Sequence, residues 1–310
     1  MEQTYAILTD SAADLSADLV ERLNLVVLPL SVTLEGKEYL NYPDERDITA
    51  KYLYERLRAG AMATTAALNV DTFEREMETY LKAGKDVLYL SFSSGLSATY
   101  NASCIAAEEL REKYPERKIL NVDTLCASSG QGLLCCLTAK QREAGATIEE
   151  AAKYAEETKH HLAHWFTVDD LHFLKRGGRV SAATAILGTA LGIKPLLHTD
   201  DAGHLVSVDK ARGRKRVISA MVDRMEKTAI RPQEQTVFIS HGDCEEDAQF
   251  LAKLVQERLH PKQIVIQVIG PVPVRWRCSS SPQSVDCAYC IIIQTHSCVL
   301  CSEQQLTLLI

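Results

Sequence analysis

The sequence predicts an α/β protein of two domains: the first has a mainly parallel Rossmann-like sheet, the second a mixed sheet. Three observations carry this expectation. Short apolar runs alternate with amphipathic stretches through the first half, the pattern of right-handed βαβ units. Past about His164 a hairpin signal, "KPLLHTDDAGHLVSV", breaks that alternation and implies antiparallel pairing. The chain has 310 residues, 46% hydrophobic and 24% charged, an ordinary globular composition with length enough for two cores. The expected division is residues 1–163 and 164–310, with an atypical tail over residues 273–310.

In chain order, "YAILTD" is a strand ending in polar residues, and "SAADLSADLVERLN" reads as a helix that Ser11 or Asp14 would cap. "LVVLPLSVTLEG" is the next strand candidate, and "GKEYLNY" pairs with its end. "ITAKYLYERLRAG" and "VDTFEREMETYLKAG" are helices that stop at a glycine. "DVLYLSF" and "KILNVDT" are strands, followed by the helices "SATYNASCIAAEELREKY" and "SSGQGLLCCLTAKQREAG". "TIEEAAKYAEETKHHLA" has helical periodicity. Beyond the hairpin, "GRKRVISAMVDRMEKTA" and "CEEDAQFLAKLVQERL" are helices, and "QTVFISHGD" and "QIVIQVIGPV" strands.

Composition excludes some classes. The net charge of −7 and pI of about 5.8 argue against a nucleic-acid binder. The first residues show no secretory leader, and no apolar run reaches the ~18 residues a membrane span needs. A cytoplasmic location is expected, with the ten cysteines as reduced thiols.

The densest chemical signal is "SFSSGLSATY", residues 91–100, at a strand-to-helix turn. Ligands of α/β sheets collect at such strand ends, and a helix N-terminus favours an anion. The hydroxyls of Ser93, Ser94, Ser97 and Thr99 would add donors for a carboxylate or phosphate. A nucleophile elbow needs G-x-S-x-G and a Walker loop needs Gly-Lys-Ser/Thr, and neither is present. Anion binding, simple helix capping and a nucleophilic serine all remain open from this loop alone. "MATTAAL" presents a second hydroxyl pair, Thr64 and Thr65, in an expected turn.

"LKRGGRVS" is a glycine-kinked basic loop with Arg176 and Arg179, and "KARGRKR" a run of cations that is usually a solvated face. His160, His161 and His164 would share a helix at spacings that permit a metal. Cys287-x-x-Cys290 and Cys298-x-x-Cys301 have a spacer shorter than zinc ribbons use, so no metal is expected.

Taken together, "LTDSAADL", the threonine pair, "SFSSGLSATYNAS", "VDT", "LHFLKRGGRVS" and "LGIKPLL…GHLVSVDKARGRKR" resemble, in this order, the DegV family over about residues 5–271. The resemblance implies a bacterial, non-enzymatic lipid-binding protein that holds one long-chain fatty acid, such as palmitate, stearate or oleate. It places the carboxylate on hydroxyls of Thr64, Thr65, Ser94 and Ser97. It also implies a partner: a separate ATP-dependent fatty acid kinase subunit that makes acyl phosphate for phospholipid synthesis. Arg179 and Arg212 would face that partner or the phosphate. No cofactor, metal, nucleic acid or stable membrane insertion is implied. The acyl tunnel would draw on "AATAILGTALGI".

The competing expectations are a serine-dependent hydrolase or acyltransferase, which needs a histidine base beside a loop hydroxyl, and a DNA-binding regulator using "KARGRKR". The tail departs from the family after "IGPV": its usual histidine and glycines are missing, and loss of the last core strand is expected.

Overall fold

In the computed structural model, residues 3–168, 171, 174, 178–180, 192–274 and 289–294 are described. The first domain holds a parallel sheet ordered β2-β1-β6-β7. Its strands are β1 (Tyr5–Asp10), β2 (Leu25–Leu28), β6 (Asp86–Ser91) and β7 (Ile119–Asp123). β1 is buried along its whole length because helices cover both faces, and its apolar "YAIL" ends in the buried polar pair Thr9 and Asp10. Five helices return the chain between strands or along the sheet: α1 (Ala17–Arg22), α3 (Val70–Lys82), α4 (Thr99–Lys113), α5 (Ser129–Glu143) and α6 (Ile148–Thr158). α6 begins in a capping box in which the Thr147 and Glu150 side chains each accept from the other residue's amide.

Two local expectations change here. Neither Ser11 nor Asp14 caps α1. Ser11–Ala13 forms one 3-10 turn, Asp14 lies at φ 49°, and the Ser16 side chain accepts from Leu19 N as the cap. Asp14 instead accepts from Gly270 N at 2.9 Å and from the Ser128 hydroxyl, tying the two domains together. The stretch "LVVLPLSVTLEG" is two strands. Proline at position 29 has no N–H to donate to a ladder, and the chain leaves the parallel sheet there. β3 (Ser31–Leu34) then joins β4 (Lys37–Leu40) and β5 (Ala63–Ala66) in a separate antiparallel sheet ordered β4-β3-β5, with α2 (Ala50–Arg58) between β4 and β5.

The second domain has a mixed sheet ordered β10-β9-β8-β13-β11-β12. β8 (Leu162–Thr167), β9 (Ile193–Thr199) and β10 (Leu205–Arg212) run antiparallel, with a bulge between Ser207 and Asp209. β11 (Thr236–His241) and β12 (Gln263–Val268) are parallel. α7 (Arg214–Thr228) and α8 (Glu245–Leu259) pack on this sheet, and a short turn, α9, covers Pro271–Val274.

The tail corrects a further expectation. Tyr289–Gln294 forms β13, which pairs antiparallel with both β8 and β11 and fills the centre of the sheet. Its "CIII" core suits a strand, because β-branched side chains fit a pleated surface. Cys290 lies in this strand, while Cys287, Cys298 and Cys301 fall outside the described residues.

The three histidines do not share a helix. His160 and His161 end α6 in a 3-10 turn, and His164 stands in β8. The His164 ring is buried over Gly130, where a Cβ would lie 1.9 Å from Nε2. Its Nδ1 donates to Leu162 O at 3.2 Å and its Nε2 accepts from Ala127 N at 3.5 Å, which fixes a neutral tautomer. Burial first, then the neighbouring His198, pushes its pKa down to about 3.

Unfolding restores a value near 6.5. The folded pKa is the lower of the two, so this stabilisation is complete above about pH 6.5. It is lost as pH falls toward 3, by up to about 1.4 kcal/mol per pH unit. Urea unfolding at pH 7, 5 and 4 is expected to show that loss, with a shallower fall in His164→Gln. Equal slopes in the two proteins would contradict it.

Candidate functional site

The ends of β1, β6 and β7 converge at the C-terminal edge of the parallel sheet, where such sheets bind ligands. The serine loop, residues 92–98, leaves β6 there and opens α4. Its entry is fixed by Asp10 at the end of β1. The Asp10 carboxylate is buried and accepts from Tyr89 Oη at 2.8 Å, Ala12 N at 3.0 Å, and both Phe92 N and Gln131 Nε2 at 3.2 Å. Burial pushes its pKa up, opposed by these four donors. Asp123, at the end of β7, accepts from Ser94 N at 3.1 Å and Leu125 N at 3.2 Å.

Within the loop the serines divide their work. Ser93 is fully buried; its Oγ donates to Gly203 O at 2.9 Å and accepts from Gly95 N at 3.2 Å. The Ser94 side chain is exposed, and its hydroxyl makes no hydrogen bond among the described residues. Ser97 is half-buried; its Oγ shares a 2.9 Å hydrogen bond with Thr99 Oγ1 and accepts from Thr99 N. The N-cap position of α4 is Ala98, which supplies no side-chain acceptor, so Ser97 serves the first turn from one residue earlier.

Thr64 and Thr65 lie in a strand rather than the expected turn. They occupy β5, opposite Thr33 and Val32 of β3. Successive strand residues point to opposite faces. Thr65 therefore shares the face of buried Val32, Leu34 and Ala63, while Thr64 is exposed on the other.

That inner face belongs to an apolar layer continuous with the serine loop and the second domain. Val32 and Ala63 cluster with Phe92 and Leu96 of the loop and with Phe166, Leu197 and Leu205 of the second domain. Thr65 and the loop thus border one apolar region. Residues 181–191 of the expected acyl-tunnel segment, and Arg176, fall outside the described residues.

The two arginines separate. Arg179 Nε donates to Leu96 O at 3.2 Å and so grips the serine loop. Arg212 ends β10, exposed, opposite Ile193. Lys215 and Arg216 of the same run are also exposed, whereas Arg214 pairs with Asp247 at 3.0 Å. Among the described residues no group of three metal-ligating side chains forms, no histidine is hydrogen-bonded to a loop serine, and no helix is long and apolar enough to cross a membrane.

Sequence reading missed Asp10, Asp123 and Gly203 as organisers of the loop. The first two were visible only as acids closing strands. Gly203 lies 110 residues from its partner Ser93, a separation that no local pattern encodes.

Known proteins resemble this chain in sequence and in fold. A DegV domain-containing protein of Clostridium perfringens is 45% identical over 268 residues, covering 86% of this chain and 92% of the relative. A solved DegV family protein of Thermus thermophilus, described for its fatty acid binding, is 27% identical with a TM-score of 0.82, over 94% of this chain and 100% of that one. A Thermotoga maritima protein whose structure is described as revealing fatty acid binding function is 26% identical with a TM-score of 0.76, over 95% of this chain and 100% of its own. The DegV family model itself matches residues 4–274, and the chain belongs to that family.

Proposed function

We propose that this protein binds one long-chain fatty acid and presents it to a separate ATP-dependent kinase, which forms the acyl phosphate. The carboxylate is held by hydroxyls of Thr64, Thr65, Ser94 and Ser97, with Thr65 and Ser97 as the inner donors. The observation that carries this reading is that two hydroxyl-bearing segments, β5 and the serine loop, border the same apolar layer across both domains.

The energetics favour such a ligand. Each buried methylene contributes roughly 0.8 kcal/mol, so a sixteen-carbon chain gains on the order of 10 kcal/mol before costs. A buried carboxylate is expensive unless donors receive it. Neutral hydroxyls at a helix N-terminus supply those donors without a countercharge, which leaves the head group free to react elsewhere. A hydrolytic role lacks support, since the buried Ser93 hydroxyl donates to a backbone carbonyl.

Native mass spectrometry of the purified protein is expected to show one fatty-acid mass, or uptake of added oleate. An apo mass with no uptake overturns the reading. Presentation is read separately. Arg179 and Arg212 are assigned to the kinase or its phosphate, and exposed Arg212 is the cleaner test. With a fatty acid kinase and ATP, Arg212→Ala is expected to lower acyl-phosphate formation about tenfold, through slower encounter, with oleate binding unchanged. Unaltered formation would remove Arg212 from the partner surface.

A further inference from the structure

We infer that the Asp200–Gly203 turn of the second domain is a latch on the serine loop, and that its contact with Ser93 sets how long a bound acid stays. The inference rests on the fatty-acid reading above and adds a positioning role for two residues outside the carboxylate clamp.

The turn is held rigid by its own hydrogen bonds. Asp200 Oδ1 accepts from Ala202 N at 3.0 Å and His204 N at 2.8 Å, and Gly203 N donates to Asp200 O at 2.9 Å. Gly203 sits at φ +76°, a left-handed conformation that glycine adopts without strain. This presents the Gly203 carbonyl to Ser93 Oγ at 2.9 Å.

The two backbones approach closely, with only the Ser93 side chain bridging them. A Cβ on Gly203 would lie 2.1 Å from Ser93 Oγ, and a Cβ on Gly95 would lie 2.8 Å from Ala202 O. A serine hydroxyl has a single proton. While Ser93 donates it to Gly203, it has none for a carboxylate, so Ser93 positions the loop rather than binding the acid. Arg179 Nε, on Leu96 O, adds a second grip from the same domain. The loop carrying Ser94 and Ser97 is therefore held near both ends by the second domain. Any motion that parts the domains breaks these contacts and shifts the clamp.

The test uses the full chain with Ser93→Ala, Gly203→Ala and the double variant, and cis-parinaric acid as the fluorescent probe. Stopped-flow mixing gives association and dissociation rates, and thermal midpoints confirm folding. Ser93→Ala is expected to raise the dissociation rate about fivefold, the fold-change of one neutral hydrogen bond, with association within about twofold. Gly203→Ala is expected to raise it further, and the double variant by less than the product of the two, because removing Oγ relieves the clash.

Folded single variants with wild-type dissociation rates would overturn the latch alone. Failure of the unmutated protein to take up the probe would overturn the fatty-acid reading. The latch contact is then judged by amide hydrogen exchange of residues 93–98. Faster exchange in Ser93→Ala supports the contact and unchanged exchange refutes it.

Discussion

Replacing Thr65 by valine and Ser97 by alanine together is expected to weaken oleate binding by about 100-fold or more. A hydrogen bond to a charged group is worth about 1.5–3 kcal/mol, and two are removed. Valine keeps the shape of threonine, so the packing of β5 against Val32 survives. Ser97 is only half-buried, so its truncation leaves no large void. Displacement of a fluorescent fatty acid measures the loss. Thr64→Val supplies the comparison. Its side chain is on the exposed face of β5, so it is an outer donor with which water competes, and the expected loss is only about fivefold. An equal or larger effect at Thr64 would mean that the acid lies on the other side of the small sheet.

Asp10→Ala is expected to cost about 3–5 kcal/mol of stability, read as a lower urea midpoint. The substitution strands four donors in a buried site: Tyr89 Oη, Ala12 N, Phe92 N and Gln131 Nε2. The site also has a distinct pH signature. Burial raises the folded pKa of Asp10 above its unfolded value. The folded state therefore favours the protonated acid, and ionised Asp10 costs stability above its folded pKa. That cost is relieved as pH falls, opposite in sign to the acid loss at His164. Acid titration of wild type and Asp10→Asn, which cannot ionise there, separates the two. A destabilisation below about 1 kcal/mol in Asp10→Ala would show that the network is not needed to hold the serine loop.

Much of the fold was legible because burial wrote itself into local pattern. β1, β6 and β7 are apolar runs bounded by polar ends, and "DDAG" marks the turn between β9 and β10. Failures came where tertiary context overrides composition. β5 reads "ATTA", two β-branched threonines between alanines, too short and too weakly apolar to mark a strand without the ladder that β3 offers it. The histidines after α6 mimic a helical face, yet the chain turns into β8 at Leu162 because the second sheet buries that segment on both faces. β13 was hidden because its partners β8 and β11 lie far away in sequence.

The site divides the same way. The serine loop announces itself by hydroxyl density after a strand. Which hydroxyl faces the apolar layer, and which is committed to Gly203, depends on contacts across more than a hundred residues.

A crystal structure of the protein with its bound acid retained tests the neutral hydroxyl clamp directly. One extended acyl chain is expected within the apolar layer shared by Val32, Leu96 and Phe166, its carboxylate within hydrogen-bond distance of Thr65 Oγ1 and Ser97 Oγ. A carboxylate paired instead with an arginine, or an acyl chain lying outside that layer, would contradict it.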